Sequence, residues 1–209
     1  MHFHVISLFP ETVGAYVESS ILGRALKDGL IKVSFYNPRD FTPDKWQRVD
    51  QRPYGGGPGM VLEAESILKA VDKAIGKRKA KIIFFAASGR QLDSRYVRGL
   101  SKYKDIVLIC GRYEGVDARV VKILKAEQVS IGPYVLTGGE IGAMTVIDAA
   151  SRHLPGVLGK IESLEESRVA GKDVYTRPEV LTYKGKKYRV PKVLLSGNHA
   201  LIESWRKKH

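Results

Sequence analysis

With one cysteine in 209 residues, the chain can form no internal disulfide. Cys110 and the histidines His2, His4, His153, His199 and His209 also lack the paired spacings by which such residues hold structural zinc. No apolar run approaches the ~20 residues that a membrane-spanning helix needs. The opening MHFHVISLFP carries neither a basic leader nor an apolar stretch long enough for export. These absences lead to the expectation of a soluble, cytoplasmic protein with no membrane attachment and no bound structural metal. Phosphate-loop signatures are missing as well. None of the Gly-Lys pairs is followed by Ser or Thr, and no GxGxxG joins a strand to a helix.

Negative charge is also scarce: 35 Lys and Arg stand against 22 Asp and Glu, a net +13. The excess is clustered. From Leu181 to His209 there are eight cations (Lys184, Lys186, Lys187, Arg189, Lys192, Arg206, Lys207, Lys208) and one acid, Glu203, so this tail carries more than half of the net charge. Clustered cations gain counterion-release free energy on a phosphate backbone, and a nucleic acid is the expected partner. A hydrophobic content of 44 % is enough for one ordinary core with a small appendage.

Phe3–Phe9 reads as a buried strand and Pro10 opens a helix running to Gly29, followed by a strand over Leu30–Tyr36. Asn37–Gly59 shows no periodicity over 23 residues, and loops that long inside a domain are usually functional. Ala64–Ile75 is an amphipathic helix stopped by Gly76. Short apolar runs at Lys81–Phe85, Asp105–Cys110 and Gln128–Ile131 are each followed by a helical pattern, at Asp93–Tyr103, Val116–Glu127 and Glu140–Arg152. This alternation predicts an α/β fold, a mostly parallel sheet flanked by helices, with ligands at the carboxyl ends of the strands. Gly159–Asp173 is polar and aperiodic and reads as a linker. The predicted division is a domain over 1–159, a linker over 160–173 and a small basic C-terminal domain over 174–209.

The loops that should hold a ligand are rich in glycine yet carry acids, Glu114 in Gly-Arg-Tyr-Glu-Gly and Glu140 after Gly138 and Gly139. Carboxylates repel polyphosphate. They suit ribose hydroxyls or a cationic ligand, while glycines let the backbone approach an adenine edge. S-Adenosylmethionine, a nucleoside with a sulfonium, meets both descriptions. Trp46, Tyr54 and Tyr113 offer rings for stacking on a flipped base or on adenine, with core packing an equal alternative for Trp46. Cys110 ends an apolar strand as a buried thiol without a redox role.

The strings DQRPYGGGPGM (50–60), CGRYEG (110–115), SIGPYVLTGGE (130–140), YTRPEV (175–180) and LLSGNHA (194–200) closely resemble the bacterial tRNA (guanine-N1)-methyltransferases of the knotted SPOUT class. The resemblance runs from residue 1 to about residue 206. It implies a deep trefoil knot in the sheet domain, a homodimer whose active site is completed across the interface, tRNA as partner, and methyl transfer from S-adenosyl-L-methionine to N1 of the guanosine 3′ of the anticodon, position 37. By the same resemblance Gly111, Glu114, Ile131, Gly132, Pro133, Tyr134, Val135, Leu136, Gly138 and Gly139 line the cofactor pocket. Asp50, Arg52, Tyr54, Gly55, Gly56 and Gly57 lie near the target base, and Ser196, Asn198 and His199 contact RNA from the tail. Whether Mg²⁺ assists is left open. Removing the N1 proton needs a base, and charge spreading to O6 needs a cation. The family's Arg corresponds to Arg152, and its linker Asp to Glu166 in Leu-Glu-Glu-Ser, one methylene longer and in a shortened linker. Glu165 is a substitute, and Ala86-Ala87-Ser88 replaces the usual Ser-Pro-Gln. The glutamate, with a tail that ends earlier than in relatives, keeps two alternatives in view: a catalytically weakened tRNA-binding homologue, and a SPOUT enzyme acting on another RNA.

Overall fold

The computed structural model describes residues 1–158 and 173–208. The chain divides into two compact units, Met1–Leu158 and Gly159–His209.

The first unit is built on five strands, β1 (His2–Ile6), β2 (Lys32–Tyr36), β5 (Lys81–Gln91), β6 (Asp105–Ile109) and β7 (Glu127–Ser130), with every pairing parallel and the order β2-β1-β6-β5-β7. A small antiparallel pair, β3 (Asp50–Gln51) with β4 (Val61–Leu62), stands apart. The helices are α1 (Pro10–Val17), α2 (Ser20–Lys27), α3 (Ala64–Ile75), α4 (Ser94–Leu100), α5 (Ala118–Leu124) and α6 (Glu140–Ser151). Strand alternation feeds two apolar layers. Phe3 and Val5 of β1 with Ile106 and Leu108 of β6 face α1, α2, α4 and α6. Ile6, Val107 and Ile109 face α3 and α5. Every residue of β6 is buried, as expected of a central parallel strand covered on both faces.

Four local expectations change. The helix expected from Pro10 to Gly29 is two helices, broken at Glu18–Ser19: Gly23 comes so close to the Glu18 carbonyl that a Cβ there would lie 2.2 Å from its oxygen. The aperiodic stretch 37–59 contains a 3-10 helix at Pro38–Phe41, where the Asn37 side chain accepts from Arg39 N, and the strand β3. Strand β5 runs six residues beyond Phe85. Phe85 and Arg90 both pair with Val129, so Ala86–Gly89 is looped out of the ladder. Trp46 is 70 % exposed, which removes its core-packing alternative.

At the amino-terminal rim of the sheet, the alternation of β1 puts His2 and His4 on one face, beside Asp105, the register partner of His2 on β6. His4 Nε2 lies 2.8 Å from Asp105 Oδ1, the Arg78 guanidinium 3.1 Å from the same oxygen, and His2 Nε2 2.9 Å from Ser34 Oγ. The three potential ligand atoms of His2, His4 and Asp105 fall within 4.8 Å of one another, a grouping that linear spacing conceals. Burial, then the His4 ring and Lys32, hold His2 down at about 4, and burial lowers His4 against its bond to Asp105.

The second unit pairs β8 (Val180–Tyr183) with β9 (Lys186–Arg189) through a turn at Lys184-Gly185, both with positive φ, a geometry suited to a tight hairpin. Helices α7 (Lys192–Leu195) and α8 (His199–Lys208) follow, and the Tyr175 and Trp205 rings meet at 6.2 Å. Among the described residues, no helix is long and apolar enough to cross a membrane.

Both imidazoles titrate lower in the folded chain than in the unfolded one. As pH falls from about 6.5 to about 4, the unfolded state therefore takes up protons first and stability is lost. Asp105 acts in the same direction at lower pH: burial opposes its ionisation, but the His4 hydrogen bond and Arg78 hold its carboxyl below the ordinary range. Urea unfolding at pH 7 and pH 4.5 is expected to show about 2 kcal/mol less stability at the lower pH, and His2→Asn should shrink that difference.

Candidate functional site

At the carboxyl ends of β5, β6 and β7 lies a cavity of about 320 Å³, within the range of small-molecule sites. Its walls are Phe84–Ala87 from the end and bulge of β5, Gly111–Val116 after β6, and Val129–Gly139 after β7, omitting Pro133, with Gly142 from the first turn of α6. Backbone proximity shapes it. A Cβ on Gly139 would lie 2.7 Å from the Cys110 Cα, and Gly139 N donates to Gly111 O at 3.0 Å. Only glycine lets these two segments touch there. Tyr134 folds its ring over Gly132 and donates from its hydroxyl to Ile131 O at 3.2 Å. Val135 is 85 % exposed, and Tyr113, Leu136 and Ile141 also face outward.

The two acids of these loops differ sharply. Glu140 is only 2 % exposed. It accepts from Ser7 Oγ at 2.6 Å on one oxygen and lies 3.0 Å from the Arg112 guanidinium on the other. Its carboxylate is held inside the protein, although among the described residues Oε2 finds no hydrogen-bond partner. Glu114 lines the cavity, with its side chain against Gly59, where a Cβ would lie 2.6 Å from Glu114 Cγ. Backbone bonds run from Glu114 N to Met60 O at 3.0 Å and from Leu62 N to Gly115 O at 3.0 Å. The glycine loop at 53–59 is thereby stitched to the cavity rim.

Within that loop Gly55, Gly56 and Gly57 take φ of 86°, 78° and 115°, a left-handed run closed to ordinary side chains. Tyr54 is fully exposed, Arg52 is exposed and Asp50 is half-buried on β3. In the second unit, Ser196 Oγ donates to Val193 O at 2.7 Å, Asn198 Oδ1 accepts from Leu201 N at 3.2 Å, and His199 begins α8 exposed. Ser196 and Asn198 thus shape the turn between α7 and α8. Arg152 is the C-cap of α6. Ten residues at a helical rise of ~1.5 Å each separate it from Gly142, which lines the cavity, so it stands roughly 15 Å along the axis from the cavity of its own chain. Glu166, with Glu165, lies outside the described residues.

A family model described as tRNA (Guanine-1)-methyltransferase TrmD matches residues 1–209. The chain belongs to the tRNA (guanine-1)-methyltransferase family. A tRNA (guanine-N(1)-)-methyltransferase of Vibrio campbellii is 48 % identical over 210 residues, covering 98 % of this chain and 83 % of that protein. One of Haemophilus influenzae is 48 % identical over 214 residues, covering 100 % and 85 %. A crystal structure titled as a tRNA (m1G37) methyltransferase from Aquifex aeolicus superposes with a TM-score of 0.83 at 42 % identity, covering all of this chain and 88 % of that one.

Sequence reasoning missed Arg112, although it lies inside one of the motifs that carry the family resemblance. Its guanidinium sits 4.5 Å from the Phe9 ring centroid, reaches Thr137 O at 3.4 Å and faces Glu140. It thus ties the loop after β6 to the loop after β7. Among the described residues, its Nε finds no hydrogen-bond partner. A cation beside a buried acid two loops away was the available signal. Cys110 is buried, and burial pushes its thiol well above the ordinary value.

Glu140→Ala strands the Arg112 charge, and breaking such a buried pair costs about 3 kcal/mol. Thermal unfolding should fall by roughly 6–12 °C. Adding Arg112→Met should recover part of the loss, a coupling measured by the double-mutant cycle.

Proposed function

We propose that the chain transfers the methyl group of S-adenosyl-L-methionine to N1 of guanosine 37 in tRNA. The observation that carries the reading is the cavity at the ends of β5, β6 and β7: a glycine-walled cradle of about 320 Å³, open on one side and bordered by Glu114 and the loop 53–59. Its donor set suits a nucleoside, since backbone groups freed by glycine can read an adenine edge and Glu114 can accept from hydroxyls. The cofactor supplies an electrophilic methyl group. In this reading Gly111, Glu114, Ile131–Leu136, Gly138 and Gly139 bind and orient it, while Asp50, Arg52 and Tyr54–Gly57 present the target base. Ser196, Asn198, His199 and the cations of the tail hold tRNA.

Glu166 accepts the N1 proton and Arg152 stabilises the charge that develops on O6. The distance of Arg152 from the cavity of its own chain supports a site completed by a second copy. So do the exposed apolar side chains of Tyr134, Val135, Leu136 and Ile141 at the cavity mouth, because a homodimer would cover them. The trefoil knot belongs to the same reading, supported by the parallel sheet and the overlap with a solved relative. A cytoplasmic location follows from the substrate.

Labelled cofactor and tRNA transcripts with or without guanosine at position 37 test the activity. Transfer is expected only to the first set, and transfer to neither would reject the enzyme reading. Glu166→Gln is expected to abolish transfer while cofactor affinity stays within about twofold. If the site is shared, a Glu166→Gln subunit mixed with one made inactive by a cofactor-loop substitution should regain up to about a quarter of wild-type turnover, as random pairing of subunits dictates. An EDTA arm distinguishes Mg²⁺-assisted transfer from metal-free transfer.

A further inference from the structure

Helix α4 buries Tyr96, Val97 and Leu100 and turns Arg95 and Arg98 to solvent, with exposed Lys102 continuing the same line just past its end. These cations fall at i, i+3 and i+7, one stripe of a helical surface. Arg95, Arg98, Gly99 and Lys102 together wall a shallow depression. Gly99 keeps it open, because a Cβ at that position would meet nothing within 4 Å.

Among the described residues no carboxylate lines the depression, and Asp93 and Glu127 beside α4 are engaged elsewhere. Asp93 caps the helix by accepting from Tyr96 N at 2.6 Å. Glu127 pairs with Lys81, lies 3.7 Å from Arg90 and accepts from the Tyr96 hydroxyl Oη at 3.1 Å. Three cations spread over seven residues, about 10 Å at the helical rise, span more than a single phosphate group. Such spacing fits a polymer of phosphates, on which each neutralised site releases counterions.

The stripe is also close to the chemistry in chain terms. Ala86 and Ala87, in the looped-out part of β5, wall the cavity, and Arg95 follows Ala87 by eight residues. We propose that Arg95, Arg98 and Lys102 form a phosphate-binding stripe on the sheet unit that grips the sugar-phosphate backbone of the RNA substrate away from its target base. The inference rests on the reading of this chain as a tRNA-modifying enzyme. The stripe carries affinity without sequence information, since phosphate contacts position an RNA and base contacts specify it.

The test is the double variant Arg95→Gln/Lys102→Gln, which leaves Arg98 and its own interactions in place and changes only exposed side chains. Affinity for full-length tRNA is measured across a salt series, with cofactor binding and saturating turnover alongside. The expected result is roughly tenfold weaker tRNA binding, a salt slope smaller by about 1 to 2, raised KM for tRNA, and kcat and cofactor affinity within twofold. Lys102→Arg alone should behave as wild type. Unchanged tRNA affinity and salt slope in the double variant, while the wild type methylates tRNA in the same assay, would overturn the stripe. So would a loss confined to binding of an acidic peptide or free inorganic phosphate. A wild-type protein that neither binds nor methylates tRNA would instead bring down the underlying reading, and the inference with it.

Discussion

The contact on which the site depends is the meeting of two backbones, where the chain leaving β6 at Cys110-Gly111 passes the chain entering α6 at Gly138-Gly139. A single methyl group on Gly139 would lie 2.7 Å from the Cys110 Cα. With no side chain between them, the segments bond directly, Gly139 N to Gly111 O. Two consequences follow from this approach. The loops after β6 and β7 are held as opposite walls of one cavity, and α6 is aimed so that Glu140 turns inward. A buried carboxylate is costly unless partnered. Ser7 from the end of β1 and Arg112 from the facing loop supply the partners, so the electrostatics and the backbone geometry lock the same three segments.

The legible parts of the fold were those governed by local pattern. Helix α3 follows its apolar period from Ala64 and stops at Gly76, because both signals are local. Strand β6 is a short apolar run between turns, and its parallel arrangement with its neighbours follows from the helices that separate them. Tertiary packing decided the rest. The break between α1 and α2 comes from the seating of Gly23 on the Glu18 carbonyl, which no periodicity records. The continuation of β5 past its bulge depends on Val129 accepting two register partners. In the site, glycine loops at strand ends were readable as a ligand cradle. Which acid lines the cavity was not, because Glu114 and Glu140 look alike in sequence and differ in the partners that distant loops bring to them.

The sheet also separates the cavity from a second polar cluster. The cavity sits at the carboxyl ends of the strands, and the His2-His4-Asp105 cluster sits at the opposite rim, anchored by Arg78 at the end of α3. Alternation along β1 put both histidines on one face, and the parallel register with β6 delivered the carboxylate to them. A strand five residues long thus contributes a polar network at its start and an apolar core in its middle. Immediately after its end comes the Ser7 that holds Glu140.

Of the looped-out residues Ala86–Gly89, Ala86 and Ala87 wall the cavity without belonging to the hydrogen-bonded ladder. A change in the side chains of Ala86, Ala87 or Ser88 therefore leaves strand register undisturbed. Gly89 is the exception, since a Cβ there would lie 2.6 Å from the backbone of Gln128 and Val129. The bulge is consequently a place where the side chains at Ala86 and Ala87 set the lining of the cavity independently of the ladder, while Gly89 seats the loop against the backbone of β7.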